Sequence, residues 1–320
     1  MKRFFLILLT AMVLVTGLFA AGTQEPTDSE RKLTVGVVVK ALSDDHWLMV
    51  RTGARAAAKD LGVNLEFLGP NAETDIMAQT SMIEDLIAKK VDALVVAPSQ
   101  PKAAVSIFNK AHAQGIPVLL IDTDAPFEHK ATFIGTGNYN GGKLAGEYIV
   151  NKVGSGKKAV IIRGALGDLT HDERVAGAKD AMEAGGIDIV EIQAADSDRS
   201  RALNIMENIL QNHGDVDVVF GTNDPMTLGA LRCVMQAGKA DQIMCIGFDG
   251  APNAVKEIKA GNLQGSVAQS PFKIGYYGVE NAVKLLNGEE ILKRIDTGTI
   301  MIDSTNVQEI EKKTAELLGK

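Results

Sequence analysis

The polar residues with the most chemical capacity stand where apolar runs stop. Lys40 and Asp44 follow the first such run, Asp122 and Asp124 another, Asn223 and Asp224 a third, and Asp249 a fourth. Ionised carboxylates accept hydrogen bonds, an ammonium donates them, and an amide does both. Such a set can surround a small polar molecule, or Asp122 and Asp249 can divide the roles of acid and base. Spacing along the chain fixes no through-space separation between the two carboxylates, so both uses stand at this point. Asp and Asn at these places also commonly cap the helix that follows.

Motifs of other chemistries break at defined positions. Gly135-Thr136-Gly137 opens like a dinucleotide fingerprint, but its third glycine would fall at Asn140. Gly154-Ser155-Gly156-Lys157 echoes a phosphate loop, yet its first glycine is misplaced and Lys158 stands where Ser or Thr is required. No G-x-S-x-G elbow occurs. His112, His129, His171 and His213 lack metal-ligand spacing and read as surface residues. No metal or organic cofactor is expected.

The elements that must position these residues alternate. Apolar runs at Leu33–Val39, Val63–Leu68, Ala93–Val96 and Val118–Ile121 read as strands, separated by helical patterns at Trp47–Lys59, Asp75–Lys89 and Ala103–Ala113. The rhythm then restarts. Strands are expected at Thr132–Ile134, Ala159–Ile162, Ile187–Ile192, Val216–Phe220, Ile243–Phe248 and Leu263–Ala268. Helices are expected at Gly141–Val150, Asp172–Glu183, Arg199–Gln211, Pro225–Gln236, Asn253–Lys259 and Phe272–Leu286. Continuous apolar runs are strands buried on both faces, and their separation requires crossover helices, so the fold class is α/β with parallel, doubly wound sheets. Two similar halves without a low-complexity linker imply two closely apposed domains. Ligands of such sheets bind beyond the carboxyl ends of the strands, where the polar residues above collect.

Lys2 and Arg3, the apolar run Phe4–Val15 and the small residues Ala20, Ala21 and Gly22 read as a secretory signal peptide over 1–22, with an uncleaved anchor as the alternative. A polar leader is expected over 23–32. No Cys lies near the cut to carry a lipid. No later segment is long and apolar enough for a bilayer, so the mature protein is expected in the periplasm or outside the cell. The formal charge of -7 argues against nucleic acid, which requires clustered Lys and Arg. Cys233 and Cys245 lie in apolar stretches and are expected as buried free thiols, a bond between them being the alternative.

Several segments together resemble the periplasmic sugar-binding proteins of the ribose-binding type, whose fold is shared by regulators of the LacI class. They are Val219 to Ala230, Ile246 to Gly250, Gly141 to Gly146, Asp172 to Gly177 and Val267-Ala268-Gln269. The similarity spans about Leu33 to Ile302. It implies two Rossmann-like domains joined by a three-segment hinge, which, after the signal peptide at 1–22 and leader at 23–32, form one lobe at 33–136 plus 270–298 and a second at 137–269 plus 299–320. The crossings would fall near Gly135–Gly137, Ala268–Ser270 and Thr297–Thr299.

Ligand positions implied by the resemblance are Lys40, Asp44, His46, Trp47, Asp122, Thr123, Arg174, Ser197, Asn223, Asp249 and Gln269, with Asp124 as a further carboxylate at the rim. Ribose binders of this type carry aromatics at the His46 and Ser197 positions, Arg at Thr123 and a small hydroxyl residue at Lys40. The present set is more polar, which points to a polyol, an inositol-like ring or a monosaccharide other than ribose. The implied function is capture of a monosaccharide or polyol for the membrane permease of an ABC importer, by a monomer with no catalytic activity. The alternatives are an exported α/β enzyme acting on sugars and a sugar sensor feeding a chemoreceptor or kinase. A regulator of the same fold would need an N-terminal helix-turn-helix where the sequence offers a signal peptide.

Overall fold

A computed structural model describes residues 31–317. The expected signal peptide, and all of the expected leader before Arg31, lie outside the described residues.

The first half runs β1 (Thr34–Val38), α1 (Asp45–Asp60), β2 (Asn64–Leu68), α2 (Ile76–Ala88), β3 (Ala93–Val96), α3 (Pro101–Ala113), β4 (Val118–Ile121) and β5 (Phe133–Gly135). The second runs α4 (Asn138–Val153), β6 (Lys158–Arg163), α5 (Leu169–Ala184), β7 (Asp188–Ala194), α6 (Arg199–Asn212), β8 (Val218–Gly221), α7 (Asp224–Gln236), β9 (Met244–Asp249), α8 (Pro252–Lys259) and β10 (Gly265–Ala268). The chain closes with α9 (Pro271–Leu286), β11 (Arg294–Asp296), β12 (Ile300–Ile302) and α10 (Val307–Leu317).

Two six-stranded sheets result, ordered β11-β5-β4-β3-β1-β2 and β12-β10-β9-β8-β6-β7. The chain passes between them after β5, after β10 and between β11 and β12. The apolar runs have a physical purpose on both faces. In β3, Ala93 and Val95 enter the core shared with α1 and α9, while Leu94 and Val96 enter the core shared with α2 and α3. Strands of this kind need helices above and below, and the doubly wound architecture supplies them. The second sheet is layered the same way, with α4 and α5 on one face and α6, α7, α8 and α10 on the other.

The last elements depart from the expected pattern. β11, β12 and α10 were not legible as apolar runs, because the two strands are three residues long and mostly exposed or half-buried. β12 also runs antiparallel to β10, so the second sheet is parallel only up to that edge. Helices α4 and α5 each begin three residues before the expected Gly141 and Asp172. In α4 the early turn is Asn-Tyr-Asn, residues of modest helix propensity that hide a start.

One helix crossing sets the position of a site residue. A Cβ on Gly142 of α4 would lie 2.1 Å from the Arg174 carbonyl oxygen, and one on Gly177 of α5 would lie 2.0 Å from that of Tyr139. Only glycine lets these backbones approach so closely, and the approach carries Arg174 toward the strand ends of the second sheet.

Cys233 and Cys245 are buried free thiols, and burial pushes Cys245 up to about 12. Among the described residues no helix is long and apolar enough to cross a membrane.

Candidate functional site

The carboxyl ends of β1, β4, β8, β9 and β10 converge on one small cavity between the two domains. Lys40, Asp44, His46, Trp47, Asp122, Arg174, Asn223, Asp249 and Gln269 line it. Each arrives there for a local reason. Asp44 caps α1 by accepting from the Trp47 backbone N–H, and Asn223 caps α7 by accepting from Met226. Capping therefore uses one oxygen of each and leaves the rest of the group for the cavity. Asp122 and Asp249 cap nothing. Their φ values of 61° and 121° lie where L-residues are strained, which costs about 1–3 kcal/mol each.

Thr123 and Asp124 are not among the residues that line the cavity. Thr123 is fully buried and donates its hydroxyl to Asp122 Oδ1 at 2.9 Å. Asp124 pairs with Lys130 and accepts from the Ala125 backbone N–H. Asp224 is buried behind the site, where it accepts from Ser266 and from the Ala251 backbone. It serves the packing of α7 against β10 and not the cavity wall.

Three further groups on the wall escaped the sequence reading: Glu73, Thr170 and His171. The expectation that His171 lies on the surface is overturned. It is 2% exposed, its Nδ1 lies 2.8 Å from Thr222 Oγ1, and its Nε2 lies 3.3 Å from Ser197 Oγ. Glu73 follows the carboxyl end of β2, and Thr170 follows that of β6, so the rule that located Asp122 would have located both. His112, His129 and His213 are indeed exposed or half-buried.

The wall is densely charged. The Lys40 ammonium, 1% exposed, lies 2.6 Å from Asp168 Oδ2, 3.3 Å from Thr170 Oγ1 and 3.7 Å from Asp122 Oδ1. Burial alone would lower its pKa, but the charges of Asp168, Asp122 and Glu73 hold it above the ordinary value. Arg174 donates from Nε to Asn138 Oδ1 and from Nη1 to the Thr222 carbonyl, both at 2.9 Å, and reaches Asp249 at 3.5 Å. Its guanidinium lies 3.9 Å over the Phe248 ring, so its plane is fixed. Gln269 donates to Asp249 at 2.7 Å and accepts from Thr136, where the chain leaves the first sheet.

Trp47 is 2% exposed. Its indole N–H donates to Glu73 at 3.0 Å, and its ring meets His46 edge-on.

His46 Nε2 lies 3.0 Å from Asp122 Oδ2, and its Nδ1 is buried without a hydrogen-bond partner in the protein. Burial would lower the His46 pKa. The bond with Asp122 and the charges of Asp122, Asp249 and Asp44 outweigh burial and raise it to about 8. Burial likewise pushes Asp122 up, and the His46 bond with the charges of Lys40, His46 and Arg174 brings it down to about 2. Asp44 is raised, first by burial and then by the charge of Glu73.

These shifts fix a pH dependence. A histidine raised from about 6.5 to about 8 stabilises the fold fully below pH ~6.5, and that contribution, about 2 kcal/mol, is lost as pH rises through 8. Asp44, whose raised pKa makes its ionisation unfavourable in the fold, acts in the same direction. Urea denaturation is expected to show stability falling between pH 6 and pH 9, with a clearly shallower fall in His46→Gln. Equal slopes in the two proteins would rule out a charged His46 at neutral pH.

The unsatisfied groups define what the cavity can bind. Among the described residues, Asn223 Nδ2, Arg174 Nη2 and His46 Nδ1 lack protein acceptors, and Asp44 Oδ2 and Asp249 Oδ2 lack protein donors. Donors and acceptors interleaved around a small space match a molecule whose groups both donate and accept, as hydroxyls do.

Comparison with known proteins places this geometry. Residues 35–290 match the family model described as periplasmic binding protein domain. The chain is 36% identical over 260 residues to the ribose import binding protein of Salmonella typhimurium, covering 81% of this chain and 87% of that protein. An ABC transporter solute binding protein from Agrobacterium vitis with bound D-fucose superimposes with a TM-score of 0.85 at 33% identity, over 88% of this chain and 98% of that one. One from Bacillus halodurans with bound myo-inositol gives 0.83 at 27% identity, over 90% and 100%.

Proposed function

Because this chain belongs to the periplasmic binding protein domain family, we propose that it is an extracytoplasmic solute-binding protein that captures one monosaccharide or polyol between its two domains and delivers it to an ABC-type permease. The observation that carries the ligand class is the interleaving of unfilled donors and acceptors around one interdomain cavity. His46 Nδ1, Arg174 and Asn223 donate, Asp44 and Asp249 accept, and the buried Trp47 contributes an apolar wall for ring C–H groups. A site that hydrogen-bonds hydroxyls so completely rejects analogues lacking them, by about 10⁴-fold or more, since its own buried groups would be left unpaired. The binding roles of these residues, and lobes built on the two sheets with the interdomain crossings as hinge, belong to the same proposal.

Closure follows from the distribution of the groups. Asp44, His46 and Asp122 belong to the first domain, and Arg174, Asn223 and Asp249 to the second. A ligand held by one set gains the other only when the domains meet, so the differential contacts drive closure. The closed pair of domains then presents a joined surface to the permease. The relatives named above are described as a ribose import binding protein and as ABC transporter solute binding proteins, which supports a transport role without turnover.

The test is a thermal-shift screen of the mature protein against pentoses, hexoses, polyols and inositols. A true ligand at about a hundred times its Kd stabilises by about 2.7 kcal/mol, which raises the melting temperature by roughly 5–10 °C. Recovery of unchanged ligand in a one-to-one complex is expected. No shift across the whole panel, or conversion of the sugar, would refute this reading.

A further inference from the structure

Two side-chain contacts at the cavity wall cross from one domain to the other. Lys40, at the end of β1, reaches into the second domain and bonds Asp168 Oδ2 at 2.6 Å and Thr170 Oγ1 at 3.3 Å. Glu73, beyond the end of β2, accepts from Ser197 of the second domain at 2.6 Å and lies 3.8 Å from His171. Two carboxylates from opposite domains, Glu73 and Asp168, thereby approach one another with His171 so closely that their oxygens and its ring nitrogen all lie within 4.8 Å. Such a group repels itself unless a cation sits beside it. The Lys40 ammonium, on Asp168 and close enough to Glu73 to shift it, supplies that charge. Asp168 is itself fixed by the second domain, accepting from the Thr170 backbone at the start of α5 and from the Thr170 hydroxyl. Glu73 is fixed by the first, through the Trp47 indole.

We propose that Lys40, Glu73 and Asp168 are positioning residues that form an ion-paired latch between the domains, and that this latch sets how readily the cleft closes for every ligand alike. The proposal rests on the domain-closure reading above. Opening the cleft separates Lys40 from Asp168 and Glu73 from Ser197, so each pair contributes to the closed state only. Closing on a ligand then requires less of the ligand's own binding free energy, and the release rate becomes a property of the latch. Lys40 is thus spent on Asp168 and is not the ligand's charge partner.

Asp168→Asn is the decisive variant, because Asp168 does not line the cavity and the amide oxygen retains the cap of α5. Glu73→Gln tests the other arm with nearly the same shape. Double electron–electron resonance between spin labels on exposed helix positions of the two domains reads the closed population in the protein alone and with each sugar from the screen. The expected result is a smaller closed population in both variants. For Asp168→Asn, ligand release is expected to be about tenfold faster, with apparent affinity lowered by a common factor for all sugars that bind. Distance distributions and release rates identical to the wild type would overturn the latch, as would a reordered sugar ranking in Asp168→Asn. If no sugar binds, the transport reading fails while the label distances still judge the latch.

Discussion

Arg174→Lys is expected to weaken ligand binding by at least about 30-fold while leaving a folded protein. The reason is geometric. The guanidinium is held on three sides: by Asn138 on Nε, by the Thr222 carbonyl on Nη1, and by the Phe248 ring beneath it. Those contacts aim the remaining Nη2 hydrogens into the cavity shared with Asp249 and Asn223. Lysine keeps the positive charge but has no planar fork, so it cannot hold Asn138 and Thr222 and also serve the ligand. Truncating one member of a buried charged hydrogen-bond set costs about 2–5 kcal/mol of binding, and each 1.4 kcal/mol is tenfold in Kd. Calorimetry with the best sugar of the screen measures the loss, and circular dichroism establishes that the fold persists. An unchanged Kd would remove Arg174 from the ligand contacts and leave it as a strut between α4, β8 and β9.

The parts of this arrangement that the sequence discloses are those governed by local rules. Apolar runs such as Leu94-Val95-Val96 announce strands buried on both faces, and the residue types just beyond them disclose Asp44, Asp122, Asn223 and Asp249. What stays hidden depends on the meeting of two domains. Nothing local distinguishes Lys40, which bonds a carboxylate 128 positions away, from a lysine facing solvent. Glu73 sits in a polar loop, and its partners Trp47 and Ser197 come from different domains. His171 lies on a helix whose apolar residues mark no single clear stripe, so its burial against Thr222 is decided by tertiary packing alone. The edge strands β11 and β12 are hidden for the opposite reason: they bury too little to leave an apolar signature. The site is therefore legible as a list of strand-end groups, while the electrostatic wiring among them is not.

Asp249→Asn is expected to weaken binding strongly while leaving stability nearly unchanged. Asp249 occupies a strained backbone position at φ 121°, and its charge adds to the burial that raises the pKa of Asp224 and to the causes that raise Asp44. That charge is unfavourable for those two acids and favourable for the His46 and Arg174 cations. The amide oxygen of asparagine still accepts from Gln269, and Arg174 keeps Asn138 and Thr222, so no buried donor is stranded. Removing the charge relieves Asp224 and Asp44 but withdraws a favourable charge from His46 and Arg174, so stability at pH 7 by urea denaturation is expected to change little. Because both of those acids are raised, the relief is greatest at neutral pH and shrinks as pH falls toward their unfolded values near 4. Binding responds strongly. A hydrogen bond from a ligand hydroxyl to a buried carboxylate is worth about 1.5–3 kcal/mol, so the affinity is expected to fall roughly 10- to 150-fold. A carboxylate retained for packing alone would show the reverse, an unchanged Kd beside a less stable fold. Loss of affinity at undiminished stability would mark Asp249 as a residue kept because the ligand requires its charge there.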